Sequence, residues 1–219
     1  MTWTLPNILT VGRILLAPVI TVLPFFEGYL AKLIAVLVFV AAAISDIYDG
    51  HIARTRGEIT ELGKILDPFA DKLLLVASLI PIYWLTRQGP QYEIPWGWGA
   101  LPVWVVILII GREALMTIIR QVAKHRGVVI AAAGAGKLKT IFQDIFLGTA
   151  LGWFFWKDLR AEVGLDGWLV DAWESLLGAS IAFSLAVAVL LTGYSLGVYL
   201  SRYRHLFSRA PVNRPGDGH

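Results

Sequence analysis

Six apolar stretches, at roughly 11–27, 30–50, 64–86, 100–123, 136–157 and 176–201, dominate this chain of 219 residues. Each is long enough to cross a bilayer core of about 30 Å, which takes ~20 helical residues. Lipid offers no hydrogen-bond partners, so a segment of this kind must satisfy its backbone internally, as a helix does. Composition agrees: 57% of the residues are hydrophobic and 16% charged, against about 45–50% and 25% in soluble domains. The expected fold is an all-α integral membrane protein of six transmembrane helices. Residues 1–205 form its one domain, and the polar, Pro/Gly-containing stretch 206–219 reads as a disordered tail.

Cysteine is absent, which removes disulfides, thiolate nucleophiles and Cys-based zinc sites. The opening MTWTLPNILTVGRILLAPVITVLPFF lacks a basic leader region, and Arg13, Pro18 and Pro24 interrupt its apolar run. It is read as a retained first span, kinked at its prolines, rather than as a signal peptide. The connections 88–99 and 158–175 are the long ones; the second reads as amphipathic and interfacial. With six spans both termini share one side. That side collects Arg54, Arg56, Lys64, Arg120, Lys124, Arg126, Lys137, Lys139 and the basic residues of the tail. The Lys/Arg excess makes it cytoplasmic. The basic residues therefore report topology, and no nucleic-acid partner is expected.

Between the second and third spans lies DIYDGHIARTRGEITELGKILDPFAD. Asp46 and Asp49 share a helix face at the end of one span, and Asp67 and Asp71 do so at the start of the next. A short connection brings the pairs together. Four carboxylates in one pocket repel one another unless a cation holds them, and oxygen-only donors suit Mg²⁺, Mn²⁺ or Ca²⁺. The bland alternative pairs these aspartates with Arg54, Arg56 and Lys64 at the interface. Gly50 allows close approach to the backbone, and Gly63 does the same or caps a loop. Arg54 can grip phosphate with a bidentate fork.

A second informative stretch is GREALMTIIRQVAKHRGVVIAAAGAGKLKT, residues 111–140. Arg112 and Glu113 lie inside an apolar span, where ionisable groups are costly and usually functional. Arg112, Arg120, Lys137 and Lys139 can converge on an anion; a pair of Arg112 with Glu113 or Asp144 is the structural alternative. GAGKLKT is not a Walker loop, which would need Gly at Ala131 and Ser or Thr at Leu138.

The pattern D-x-x-D-G-x-x-A-R, eight residues, then G-x-x-x-D-x-x-x-D is filled by Asp46, Asp49, Gly50, Ala53, Arg54, Gly63, Asp67 and Asp71. It resembles the signature of the CDP-alcohol phosphatidyltransferase family. The resemblance implies six membrane helices, a homodimer, and transfer of a phosphatidyl group from CDP-diacylglycerol to an alcohol with release of CMP. It implies two divalent cations, Mg²⁺ or Mn²⁺, on Asp46, Asp49, Asp67 and Asp71, with Asp71 also the base. It implies a nucleotide and diphosphate pocket at Asp49, Gly50, Ala53, Arg54 and Gly63. Within the family, PNILTVGRILLAP, DPFADKLL and GREALMTIIR…GKLKT resemble members whose acceptor is sn-glycerol 3-phosphate. Arg112, Arg120, Lys137 and Lys139 would then bind the acceptor phosphate, and Asn7, Thr10 and Arg13 would contribute from the first helix. Arg13 fits equally well as a residue snorkelling to the interface. The expected place is a bacterial inner membrane, with the site at its cytoplasmic face. The rivals are the same chemistry with another acceptor, such as inositol phosphate, and a cation transporter or channel.

Overall fold

The computed structural model describes residues 4–56, 60–125 and 134–203. These form six α-helices: α1 (Leu5–Val22), α2 (Tyr29–Arg56), α3 (Glu61–Leu85), α4 (Val103–His125), α5 (Gly134–Val163) and α6 (Trp168–Tyr203). The tail 206–219 and Arg126 lie outside the described residues.

Three of the helical segments are long and apolar enough by themselves to cross a membrane: Leu5–Phe25, Tyr29–Tyr48 and Trp168–Tyr199. The other three helices carry ionisable groups within their apolar runs, among them Asp71 and Lys72 on α3, Arg112 and Glu113 on α4, and Lys139 and Asp144 on α5. They have 25, 23 and 30 residues, or at least ~35 Å each at 1.5 Å per residue. Large apolar side chains face outward along the bundle, including Leu15, Leu37, Ile47, Ile107, Phe183 and Leu190. Water would penalise that much exposed hydrocarbon, whereas lipid matches it. The chain is a membrane protein.

The helices differ from the expected spans mainly at their ends. α1 begins at Leu5, led by extended Thr4 and with Pro6 in its first turn, where a missing N–H costs nothing. It runs through Pro18 and gives way at Leu23–Phe25 to a 3-10 turn with Pro24 at its centre. The stretch 158–175 is a correction. α5 continues to Val163, Gly164 adopts φ 71°, and α6 starts at Trp168. Arg160, Asp171 and Glu174 of this stretch pair between the two helices instead of lying in a separate interfacial segment. Lys157 meets Glu174 at 2.7 Å, and Arg160 meets Glu174 at 2.5 Å and Asp171 at 2.9 Å.

The core lies where α2, α3, α5 and α6 meet, with Phe39, Leu79, Ile82, Phe146, Leu147, Phe154 and Leu185 all buried. Gly148 permits the α2–α5 contact: a Cβ there would stand 3.1 Å from Phe39 Cε1. Small residues at such crossings let membrane helices approach closely. α1 packs on α2 and α3, while α4 lies against α3 and α6. Neighbouring α1 and α2 run antiparallel. The start of α1, the end of α2 and the starts of α3 and α5 therefore gather at one end of the bundle.

Candidate active site

The site is assembled around Arg13. Its side chain is 2% exposed, which excludes a role snorkelling to the interface. Nη1 bonds Oδ1 of Asp46 from α2 and lies 3.1 Å from Oδ1 of Asp71 on α3. One turn earlier on α1, the Thr10 hydroxyl lies 2.7 Å from Asp67 Oδ1. The wall continues through Asn7, whose Oδ1 accepts from Thr60 Oγ1 at 3.0 Å. Thr60 is the N-cap of α3, and its Oγ1 also accepts from the Gly63 backbone N–H at 2.9 Å. Gly63 leaves room for this contact, since a Cβ would lie 3.0 Å from Asn7 Oδ1 and 3.2 Å from Thr60 Oγ1 and press both aside. α1 thus sets the position of α3, and through it the position of Asp67 and Asp71.

Asp46 and Asp71 meet at Arg13 and line one cavity, whereas Asp67 is held by Thr10. Asp49, Gly50, Ala53 and Arg54 lie on the final turns of α2; their side chains fall outside the described part, as does that of Lys137 on the first turn of α5. Among the described residues no three acidic or histidine side chains close into a metal cage. The positive charge between Asp46 and Asp71 is that of Arg13. The donor set nevertheless fits hard divalent cations: it is oxygen only, and the Asp46 and Asp71 side chains are 47% and 56% exposed.

A cavity of about 330 Å³ opens beside these aspartates. Arg13, Asp46 and Asp71 line it. Glu113, Lys139, Gln143 and Asp144 also line it. Lys139, 1% exposed, donates to Glu113 Oε1, and the same oxygen accepts from Arg112 Nη1 at 2.8 Å. Arg112 Nε also donates to Ser195 Oγ on α6 at 3.2 Å. The α4 residue Glu113 therefore binds both cations and ties α4 to α5. Of the four basic residues expected on the acceptor, Lys139 lines the cavity, whereas Arg112 stands behind Glu113. Arg120 is exposed and is not part of the lining. Gln143 and Lys72 line the cavity without having stood out in the sequence. The i,i+4 spacing of Lys139 and Gln143 was the available signal.

A larger cavity, about 830 Å³, lies at the other end of α5. Its cations Lys157 and Arg160 are matched by Glu174 and Asp171. The same end holds Lys32, which bonds Asp158, itself accepting from the Tyr92 hydroxyl. Burial first, then the Asp158 carboxylate, pushes the Tyr92 phenol well above its ordinary value. These paired groups fasten helices together.

The model of the family described as CDP-alcohol phosphatidyltransferase matches residues 3–190. Relatives similar to the chain include the CDP-diacylglycerol–glycerol-3-phosphate 3-phosphatidyltransferase of Rickettsia typhi, 32% identical over 191 residues, covering 87% of this chain and 93% of the relative. The enzyme of the same name from Bacillus subtilis is 36% identical over 192 residues, covering 78% and 93%. A Mycobacterium tuberculosis protein named "Probable phosphatidylglycerophosphate synthase" is 38% identical over 147 residues, covering 66% of this chain. The chain spans 64% of the length of that mycobacterial relative. The family match takes in the aspartates of α2 and α3, the Arg13 that joins them and the cavity they face, and the chain belongs to the CDP-alcohol phosphatidyltransferase family.

Proposed function

We propose that the protein transfers the phosphatidyl group of CDP-diacylglycerol to sn-glycerol 3-phosphate, giving phosphatidylglycerophosphate and CMP. The observation that carries this reading is the cavity between Asp46/Asp71 and Lys139. It offers a carboxylate for a hydroxyl and a buried ammonium for a phosphate. The names of the Rickettsia and Bacillus relatives support the same donor and acceptor.

The acceptor hydroxyl is placed at Asp71, whose carboxylate takes its proton. The freed oxygen bonds to the phosphorus esterified to diacylglycerol. The bond from that phosphorus to the bridging oxygen breaks, and its electron pair leaves with CMP. Two divalent cations held by Asp46, Asp49, Asp67 and Asp71 supply neutralising charge for the diphosphate and the leaving oxygen when bound. Arg54, Gly50, Ala53 and Gly63 border the nucleotide side of the site. Lys139 attracts the acceptor phosphate, and Arg112 supports it through Glu113. Six spans with both termini cytoplasmic put this end of the bundle at the inner face of a bacterial membrane, where the Lys/Arg excess belongs. Lipid chains then stay in the bilayer while cytidine reaches water. Assembly as a homodimer belongs to the same reading.

The test is CMP release by purified protein in detergent with CDP-diacylglycerol and Mg²⁺, comparing glycerol 3-phosphate, inositol phosphate, glycerol and serine. Release that needs glycerol 3-phosphate and stops with EDTA is expected. Release with inositol phosphate alone would keep the aspartate chemistry and overturn the acceptor.

A further inference from the structure

Gln143 is a buried polar side chain that the reaction outlined above leaves unused. It lines the 330 Å³ cavity, is 4% exposed, and its Oε1 is buried with no hydrogen-bond partner among the described residues. Several buried hydroxyls of the bundle are met locally. Ser78, Thr86, Ser184 and Thr192 each turn back onto a carbonyl of their own helix, at 2.6–2.9 Å. A carboxamide oxygen accepts and cannot use those carbonyls, so without a donor it destabilises the fold unless something else meets it, and exceptions of this kind need a reason.

Its surroundings supply one. Gln143 follows Lys139 by four residues on α5, so both stand on one helix face, about 6 Å apart along the axis. Both line the cavity, as do Asp46 and Asp71 from α2 and α3. A polyol phosphate with its phosphate at Lys139 and its reacting hydroxyl at Asp71 has its middle carbon between the two. We propose that Gln143 is a specificity-determining residue that hydrogen-bonds the acceptor's second, non-reacting hydroxyl. This assignment rests on the acceptor reading given under Proposed function. A hydroxyl both donates and accepts, as a carboxamide does, so the pair forms whichever way the amide is turned. Lys139 cannot make this distinction, because a point charge attracts any phosphate. Gln143 leaves a methylene in that position unmatched.

The experiment compares sn-glycerol 3-phosphate with 3-hydroxypropyl phosphate, which keeps the phosphate and the primary hydroxyl and lacks the middle one. CMP release by the full chain with CDP-diacylglycerol and Mg²⁺ gives kcat/KM for each. The wild-type protein is expected to prefer glycerol 3-phosphate by about 10- to 100-fold, the range for leaving a buried polar group unpaired. Gln143→Met, similar in length and flexibility, is expected to bring the ratio below about threefold by losing activity only toward glycerol 3-phosphate. Equal losses toward both acceptors, or an unchanged ratio, would overturn the assignment. So would a wild-type protein that turns over both acceptors without preference, a result that does not depend on the variant folding. Failure of the wild-type protein to use any acceptor would overturn the reading of the reaction itself, and this assignment with it.

Discussion

Arg13 Nη1 stands 3.1 Å from Asp71 Oδ1 while also bonding Asp46 Oδ1, so one guanidinium from α1 joins carboxylates of α2 and α3. The contact with Asp71 spans 58 positions of sequence. Replacing Arg13 by Met removes the cation and leaves the two carboxylates facing each other. Transfer should fall at least ~100-fold, and stability in detergent by about 2 kcal/mol. That is below the ~3–5 kcal/mol of a fully buried pair, because both carboxylates are partly exposed. Wild-type CMP release by Arg13→Met would show that the bridge is incidental to the site.

Asp71→Asn keeps the shape of the side chain and removes its basicity. CMP release should drop to background while the melting temperature in detergent stays within a few degrees of wild type. Normal turnover would remove Asp71 as the base.

Glu113 holds both Lys139 and Arg112 through a single oxygen. In Glu113→Gln the Lys139 ammonium loses its buried counter-charge and has to move from its place in the cavity. The KM for glycerol 3-phosphate should rise about tenfold or more, with the KM for CDP-diacylglycerol unchanged within about twofold. Arg112→Ala should split the two constants in the same direction. A fall in the acceptor KM would instead mean that Glu113 occupies the phosphate position.

Gly63→Ala places a methyl group 3.0 Å from Asn7 Oδ1 and 3.2 Å from Thr60 Oγ1. The α3 cap and the α1 wall would have to separate, at a cost of about 1–3 kcal/mol. A lower melting temperature together with reduced transfer is expected, since Asp67 and Asp71 ride on α3. A melting temperature equal to wild type would show that Asn7 yields freely.

At the other end, the Tyr92 phenol is held above its ordinary value of 10.0 by burial and by the Asp158 carboxylate it donates to. A raised value means the folded state favours the neutral phenol. That stability is fully present below pH ~10 and is lost as pH climbs toward the raised value. Tyr92→Phe should be less stable by about 1 kcal/mol near neutrality, and the gap should close above pH ~10. Melting curves of both proteins from pH 7 to 11 decide it; parallel curves would disprove the coupling.

Much of the site was legible before any coordinates. Carboxylates four residues apart share a helix face whatever the tertiary structure, so Asp67 and Asp71 had to point together. An apolar run of bilayer length has to become a helix, because nothing else satisfies its backbone in lipid. Those local rules lay behind the six helices and the aspartate pairs.

How each helix is turned about its axis is not a local property. Packing of small against large side chains, as at Gly148 and Phe39, sets that rotation. It decided that Arg13 would lie buried between Asp46 and Asp71, that Arg112 would stand behind Glu113, and that Gln143 would line the cavity. The α5–α6 corner shows the same division. Arg160, Asp171 and Glu174 look like loop residues when hydropathy is read along the chain. They become helical once each charge finds its opposite on the neighbouring helix. Periodicity along one segment specifies which residues share a face. Only contacts between segments choose what that face meets, because their energies depend on partners distant in sequence.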